Sequence, residues 1–181
     1  MTVSTLDPTT ATPEASGAPV LAPRPADLEG QVLGIVANGL GLSEAMFDAL
    51  AAALCEEHGV RSVVKVVKPS VAVPPWPEQW EEITTQATVA VTGFGGCGSC
   101  STRSMRDAID LEAMGIPSVC LVHIALVPAV QALARLVGVP ENPIVVVDYP
   151  HNPTAMWEKD EAAAIGLQVV EGVYNSLTAR H

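Results

Sequence analysis

The sequence predicts an α/β fold: one three-layer domain around a five-stranded, mainly parallel sheet. Two observations carry this. Short β-rich apolar runs recur from Gln31 onward, and a longer segment with helical apolar spacing separates each run from the next. That alternation is the mark of repeated βα units, whose crossover helices cover both faces of a parallel sheet. Length agrees, because 181 residues suit one domain with one full core.

Residues 1–28 are rich in Pro, Thr, Ala and Ser and show no apolar period. Such a stretch buries too little surface to offset its ordering entropy, so it is expected to be a disordered tail, with the domain spanning 29–181. The expected strands are Val32–Ala37, Ser62–Val67, Thr88–Thr92, Ser118–Val122 and Ile144–Val147, each close to continuously apolar as a strand covered on both faces should be. Ser43 is the expected N-cap of a helix over Glu44–His58, where Ala45, Phe47, Leu50, Ala51 and Leu54 recur at helical spacing and Gly59 supplies the stop. A shorter helix is expected over Pro77–Gln86. The third strand leads into a glycine-rich turn, Gly93 to Cys100, followed by a helix over Thr102–Met114 that ends at Gly115. Two more helices are expected, Ala129–Val137 and a long final one over Thr154–Arg180.

Five such units without a longer second half favour the flavodoxin-like strand order 2-1-3-4-5. In that arrangement ligands sit outside the carboxyl ends of the strands, near the point where the winding reverses. One rim would then collect the Asn38-Gly39-Leu40-Gly41 turn, Lys68, the cysteine loop, His123 and His151.

A net charge of −11 with only nine Lys and Arg repels phosphate backbones, and the basic residues form no stripe, so no nucleic acid partner is expected. No apolar stretch approaches the ~20 residues of a membrane span, and the amino terminus shows no basic region followed by an apolar core. The expected address is the cytoplasm, without membrane contact.

The chemistry concentrates in Cys97-Gly98-Ser99-Cys100. A thiolate is the strong nucleophile among common side chains, and a helix N-terminus lowers a thiol pKa because its unpaired N–H groups favour negative charge. Gly95, Gly96 and Gly98 allow tight backbone and close approach to a ligand, while Ser99 and Ser101 can cap the helix or donate hydrogen bonds. A Cys-x-x-Cys pair also brings two sulfurs within disulfide reach, so one can attack and the other resolve. The competing reading is a glycine-rich connection with two incidental cysteines. A zinc site would need two further ligands, and no second closely spaced pair exists, so only His123 and His151 could complete one through tertiary folding. Cys55, on an apolar helix face, and Cys120, inside a strand, read as core residues.

His123 and His151 are candidate proton carriers or thiolate partners, each weighed against a purely structural role. Asn38 and Gly39 form a candidate ligand-facing turn that lacks the spacing of a dinucleotide or P-loop motif. Arg103 is a candidate carboxylate receptor, set against an ordinary solvated position.

With these residues in view, Gly95-Gly96-Cys97-Gly98-Ser99-Cys100-Ser101 resembles the signature of the UGSC-motif (seleno)protein family, and Cys97 stands at the selenocysteine position. The resemblance continues through Asp107-Ala108-Ile109-Asp110-Leu111-Glu112 and Gly115-Ile116-Pro117, covering most of residues 88–153 and leaving the first thirty outside. More distantly, the stretch from Gly115 to Ile124, Val137-Gly138 and Pro150-His151-Asn152-Pro153 is similar to the closing part of the selenoprotein B component of glycine, sarcosine and betaine reductases. The resemblance implies Cys97 as a nucleophile that displaces a leaving group and Cys100 as the resolving thiol. Two departures stand out: cysteine replaces selenocysteine, and the reductases' other parts have no counterpart.

Three functions are therefore expected in order. The first is a cysteine-dependent enzyme acting on a small molecule, by carbon–sulfur bond formation or cleavage or by reductive displacement, with no cofactor. The second is a thiol–disulfide redox subunit of a larger complex, working with a second subunit or reducing partner protein. The third is a metal- or ligand-binding module. The final helix carries Val169, Val170, Val173 and Leu177 on one face, which could pack on the sheet or make a homo-oligomer.

Overall fold

The computed structural model describes residues 21–148 and 158–179. Five strands, β1 (Val32–Ala37), β2 (Ser62–Val67), β3 (Val89–Gly93), β4 (Ser118–His123) and β5 (Ile144–Val147), form one all-parallel sheet in the order 2-1-3-4-5, as predicted. β1 pairs with both β2 and β3, so the winding reverses between β1 and β3. The inner strands β1, β3 and β4 are buried throughout, whereas the edge strands β2 and β5 are partly exposed despite their apolar sequences.

Alternation along each strand feeds two cores. Leu33, Ile35 and Ala37 of β1 join Val89, Val91, Val119 and Leu121 on one face, beneath α1 (Ser43–His58), α5 (Lys159–Gln168) and α6 (Val170–Leu177). The opposite face lies under α2 (Pro77–Gln86), α3 (Gly98–Ala113) and α4 (Val127–Leu136). Phe47, Leu50 and Leu54 of α1 are fully buried, and each such side chain contributes about 1.5–3 kcal/mol. Two glycines set how closely helices approach. A Cβ on Gly34 would lie 2.7 Å from the Ala87 Cβ, and one on Gly166 would lie 2.2 Å from the Met46 carbonyl oxygen. Gly166 thus lets α5 cross α1 backbone to backbone.

Four expectations are corrected. Residues 21–28 are not part of a loose tail: Ala22 and Leu28 are buried, and Arg24 grips the buried Glu112 with both terminal nitrogens, at 2.8 and 2.7 Å. Glu112 also accepts from Ala22 N–H (2.7 Å) and Ser118 N–H (2.6 Å), so a charge network holds what composition could not. Ser43 does not cap α1; Leu42 is the capping residue, and Ser43 is the first helical residue, its hydroxyl buried. Gly59 stops the helix as expected, in the left-handed region. The final helix is broken at Val169 into α5 and α6. Its apolar line runs on through the break but changes partner, because α5 packs on α1 while α6 reaches the sheet, and one straight helix cannot follow both. Val169, Val170, Val173 and Leu177 are buried within the chain's own core. The expected start of that helix, at Thr154, lies outside the described residues. Finally, α3 begins at Gly98 rather than Thr102, which places Cys100 inside its first turn.

Candidate functional site

The carboxyl ends of β1 and β3 carry the two loops that the sequence singled out, and they touch. Asn38 N–H donates to the Gly93 carbonyl at 2.7 Å, joining the end of β1 to the end of β3. The Asn38 side-chain oxygen accepts from Leu40 N–H (3.1 Å), while its amide nitrogen is buried without a hydrogen-bond partner among the described residues. Gly39 and Gly41 adopt positive φ, which turns the chain sharply into α1.

Beyond β3 the chain passes through buried Phe94, Gly95 and Gly96 into α3. Cys97 is the N-cap of α3, and its sulfur accepts from Cys100 N–H at 3.3 Å. A disulfide joins Cys97 to Cys100, with Cα atoms 5.2 Å apart. Cys97 is half-buried, Gly98 and Ser99 are exposed, and Cys100 is 4% exposed, so the two sulfurs differ in access. The first turn of α3 contains no acidic residue to compete for its N–H groups. The Ser99 hydroxyl lies 3.3 Å from the Cys97 sulfur.

The loop is held down by Ser101, whose N–H donates to the Cys97 carbonyl (3.0 Å) and whose hydroxyl donates to the Gly95 carbonyl (3.3 Å). A Cβ on Gly95 would fall 2.5 Å from both the Ser101 nitrogen and its Oγ, so glycine is required there. Gly98 differs: a Cβ there would meet nothing within 4 Å, so packing within the chain does not itself require glycine at this position.

His123 ends β4 and is buried, its ring tilted against Phe94 with centroids 6.4 Å apart. Its Nδ1 accepts from Ala125 N–H at 3.1 Å, which leaves the Nε2 side to carry the proton of a neutral ring. His123 is thus linked to the cysteine loop through Phe94. His151 lies outside the described residues. Arg103 does not stand ready as a carboxylate receptor: Asp107 takes its Nε (3.0 Å) and Asp110 its Nη2 (3.2 Å). Among the described residues, the group with metal-ligating spacing is Glu57, His58 and Glu171, at the far end of α1 from the disulfide.

Sequence reasoning missed a buried ion pair beside the site. Lys68, just past β2, donates to Asp107 of α3 at 2.9 Å, and both side chains are fully buried. Burial pushes the Asp107 carboxyl above its ordinary range, with Lys68 and Arg103 acting in the opposite direction. Burial likewise pushes the Cys120 thiol up to about 12, which keeps it protonated and inert, in keeping with a core residue. No local spacing signals the pair, because Lys68 and Asp107 stand 39 residues apart and meet only in the fold.

No described helix is long and apolar enough to cross a membrane. No curated protein compared with the chain matches it. The UGSC family matches residues 4–179, well beyond the 88–153 region where the motif stands and including all but three of the first thirty residues. A match over nearly the whole length, with the motif's Cys97 capping a helix at the reversal of the sheet, places this chain in the UGSC family.

Proposed function

We propose that the chain is an enzyme that uses Cys97 as a thiolate nucleophile on a small molecule and Cys100 to resolve the product reductively. The Cys97 sulfur attacks an electrophilic carbon, forming a thioether as the leaving group departs with its electron pair. The Cys100 thiolate then attacks the Cys97 sulfur. The carbon–sulfur bond breaks, the released fragment takes the electron pair and a proton, and the Cys97–Cys100 disulfide forms. An external dithiol supplies the two electrons that reopen it. A carbon fragment can leave this way when a neighbouring carbonyl stabilises its charge. The carrying observation is the disulfide whose outer sulfur is the N-cap of α3 and accepts a backbone N–H at 3.3 Å; the same donor would hold a thiolate.

The test is intact mass and peptide mapping of Cys100→Ser, treated with iodoacetamide and with carbonyl-activated halides and thioethers across pH. The expected result is selective modification of Cys97 at pH values well below the ~8.5 of a free thiol, with an adduct that persists in the variant but gives way to the disulfide in the unmodified chain. A Cys97 that labels no faster than a free cysteine peptide would overturn the proposal. Exposure of Gly98 and Ser99 beside the disulfide also suits a redox subunit serving a partner protein. In that case Cys100→Ser would hold the partner as a mixed disulfide and form no small-molecule adduct.

A further inference from the structure

Asn38 holds a donor that the fold leaves unused. Its side chain is 1% exposed. The Oδ1 atom accepts from Leu40 N–H at 3.1 Å, which fixes the orientation of the amide, because the reverse would set NH2 against N–H. That leaves Nδ2 as a buried donor with no hydrogen-bond partner among the described residues. Buried polar groups are nearly always paired, so an orphan in a native fold calls for a use.

The sheet sets which way Asn38 faces. Along β1, Leu33, Ile35 and Ala37 pack toward α1, while Gly34 and Val36 lie with Ile83 and Ala87 on the side of α2 and α3. The ladder runs one residue past the strand ends, since Asn38 N–H donates to the Gly93 carbonyl and Lys68 N–H to the Ala37 carbonyl. Asn38 therefore continues the Gly34–Val36 side. Lys68 checks that placement: it follows Val67, the partner of Ala37, and its ammonium reaches Asp107 of α3 on this same side. Asn38 thus stands at the reversal of the sheet on the side that carries α3, and Gly93, to which it is bonded, precedes the N-cap Cys97 by four residues. The chain between them is Phe94-Gly95-Gly96, which Ser101 holds back against the start of α3 through the Gly95 carbonyl.

Resting on the reading of Cys97 as nucleophile and Cys100 as resolver, we propose that Asn38 is a catalytic residue whose Nδ2 donates to a carbonyl oxygen next to the carbon held by Cys97. The substrate class follows: a small molecule whose leaving group stands α to a ketone, ester or amide carbonyl. In the adduct that α carbon is bonded to the Cys97 sulfur. When the Cys100 thiolate attacks this sulfur, the S–S bond forms and the carbon–sulfur bond breaks, its electron pair passing to the carbon and on to the carbonyl oxygen. The oxygen becomes an enolate, and the Asn38 N–H bond to it strengthens as the charge develops beside a donor shielded from water. Water then protonates the carbon, so hydrogen stands where sulfur was, and the external dithiol restores the two thiols.

The reduced chain is treated with 2-bromoacetophenone and, separately, with methyl methanethiosulfonate, and loading and release are followed by peptide mapping, intact mass and chromatography. Each reagent loads Cys97. Cys100 then releases acetophenone from the first adduct and methanethiol from the second, leaving the same disulfide, and only the first release passes through an enolate. Asn38→Asp keeps the acceptor for Leu40 N–H and removes the donor. It is expected to slow acetophenone release at least tenfold while methanethiol release stays within threefold. Asn38→Ala carries the test if Asn38→Asp does not fold. Ser43, whose hydroxyl is also buried without a partner among the described residues, lies on the α1 stripe with Met46 and Phe47, so Ser43→Ala is expected to keep acetophenone release within twofold. Acetophenone release within twofold of normal in a folded Asn38 variant, equal slowing of both releases, or an equal loss in Ser43→Ala overturns the inference. So does an unmodified chain that gives methanethiol but no acetophenone. An unmodified chain loaded at Cys97 by neither reagent overturns the nucleophile reading instead.

Discussion

Replacing Gly95 and Gly98 separately by alanine has opposite expected signs, although both glycines stand in the same short loop. At Gly95 the new Cβ would sit 2.5 Å from the Ser101 nitrogen and 2.7 Å from its Cα, closer than side-chain carbons are found to backbone. The start of α3 must move. That costs the roughly 1–3 kcal/mol of an overpacked site. It also breaks the hydrogen bond from Ser101 N–H to the Cys97 carbonyl, worth about 1 kcal/mol. The expected loss is about 2–4 kcal/mol. At Gly98 the new Cβ meets nothing, and alanine is the better helix former by up to about 1 kcal/mol. Urea unfolding of the two oxidised variants beside the unmodified chain, at one pH and with the slope held common, reads both numbers. Equal stabilities for the two variants, or a Gly95→Ala chain within about 0.5 kcal/mol of normal, would show that the packing of Ser101 on the loop is misdescribed.

Arg24→Ala tests whether residues 21–28 belong to the domain. It leaves the Glu112 carboxylate buried beside two backbone N–H groups with no cation, and breaking such a pair costs about 3–5 kcal/mol, read as a fall in the urea midpoint. An unchanged midpoint would mean that the segment is not held. Cys120 predicts alkaline behaviour. The folded chain keeps the thiol proton up to about 12 while the unfolded chain loses it from 9.0, so stability falls as pH rises through that window. The slope is on the order of 1.4 kcal/mol per pH unit. Cys120→Ala should remove this component, and the stability gap between the two chains should shift by about 2 kcal/mol between pH 8 and 10.5. A gap that does not move with pH would refute the buried, protonated thiol.

What the sequence determined by itself is whatever rests on local pattern. Continuous apolar runs bounded by Gly and Pro placed the five strands to within a residue or so, and the number of βα units favoured the sheet order that the structure then showed. The glycine loop and Cys-x-x-Cys spacing located the candidate site, because turn chemistry and helix starts are encoded within a few residues. Tertiary structure decided what depends on partners far apart in the chain. Pairing of Arg24 with Glu112 across 88 positions turned a polar, tail-like segment into packed structure, which composition cannot foresee. The Arg103–Asp107 pair lies at helical spacing within one stretch, but the burial of Asp107 against Lys68, 39 positions away just past β2, came only with the fold. The break at Val169 follows from two different surfaces, α1 and the sheet, drawing on one apolar line. In each case the deciding energy is the desolvation of a charge or the shape of a neighbour, and neither is a property of the residue's own stretch of sequence.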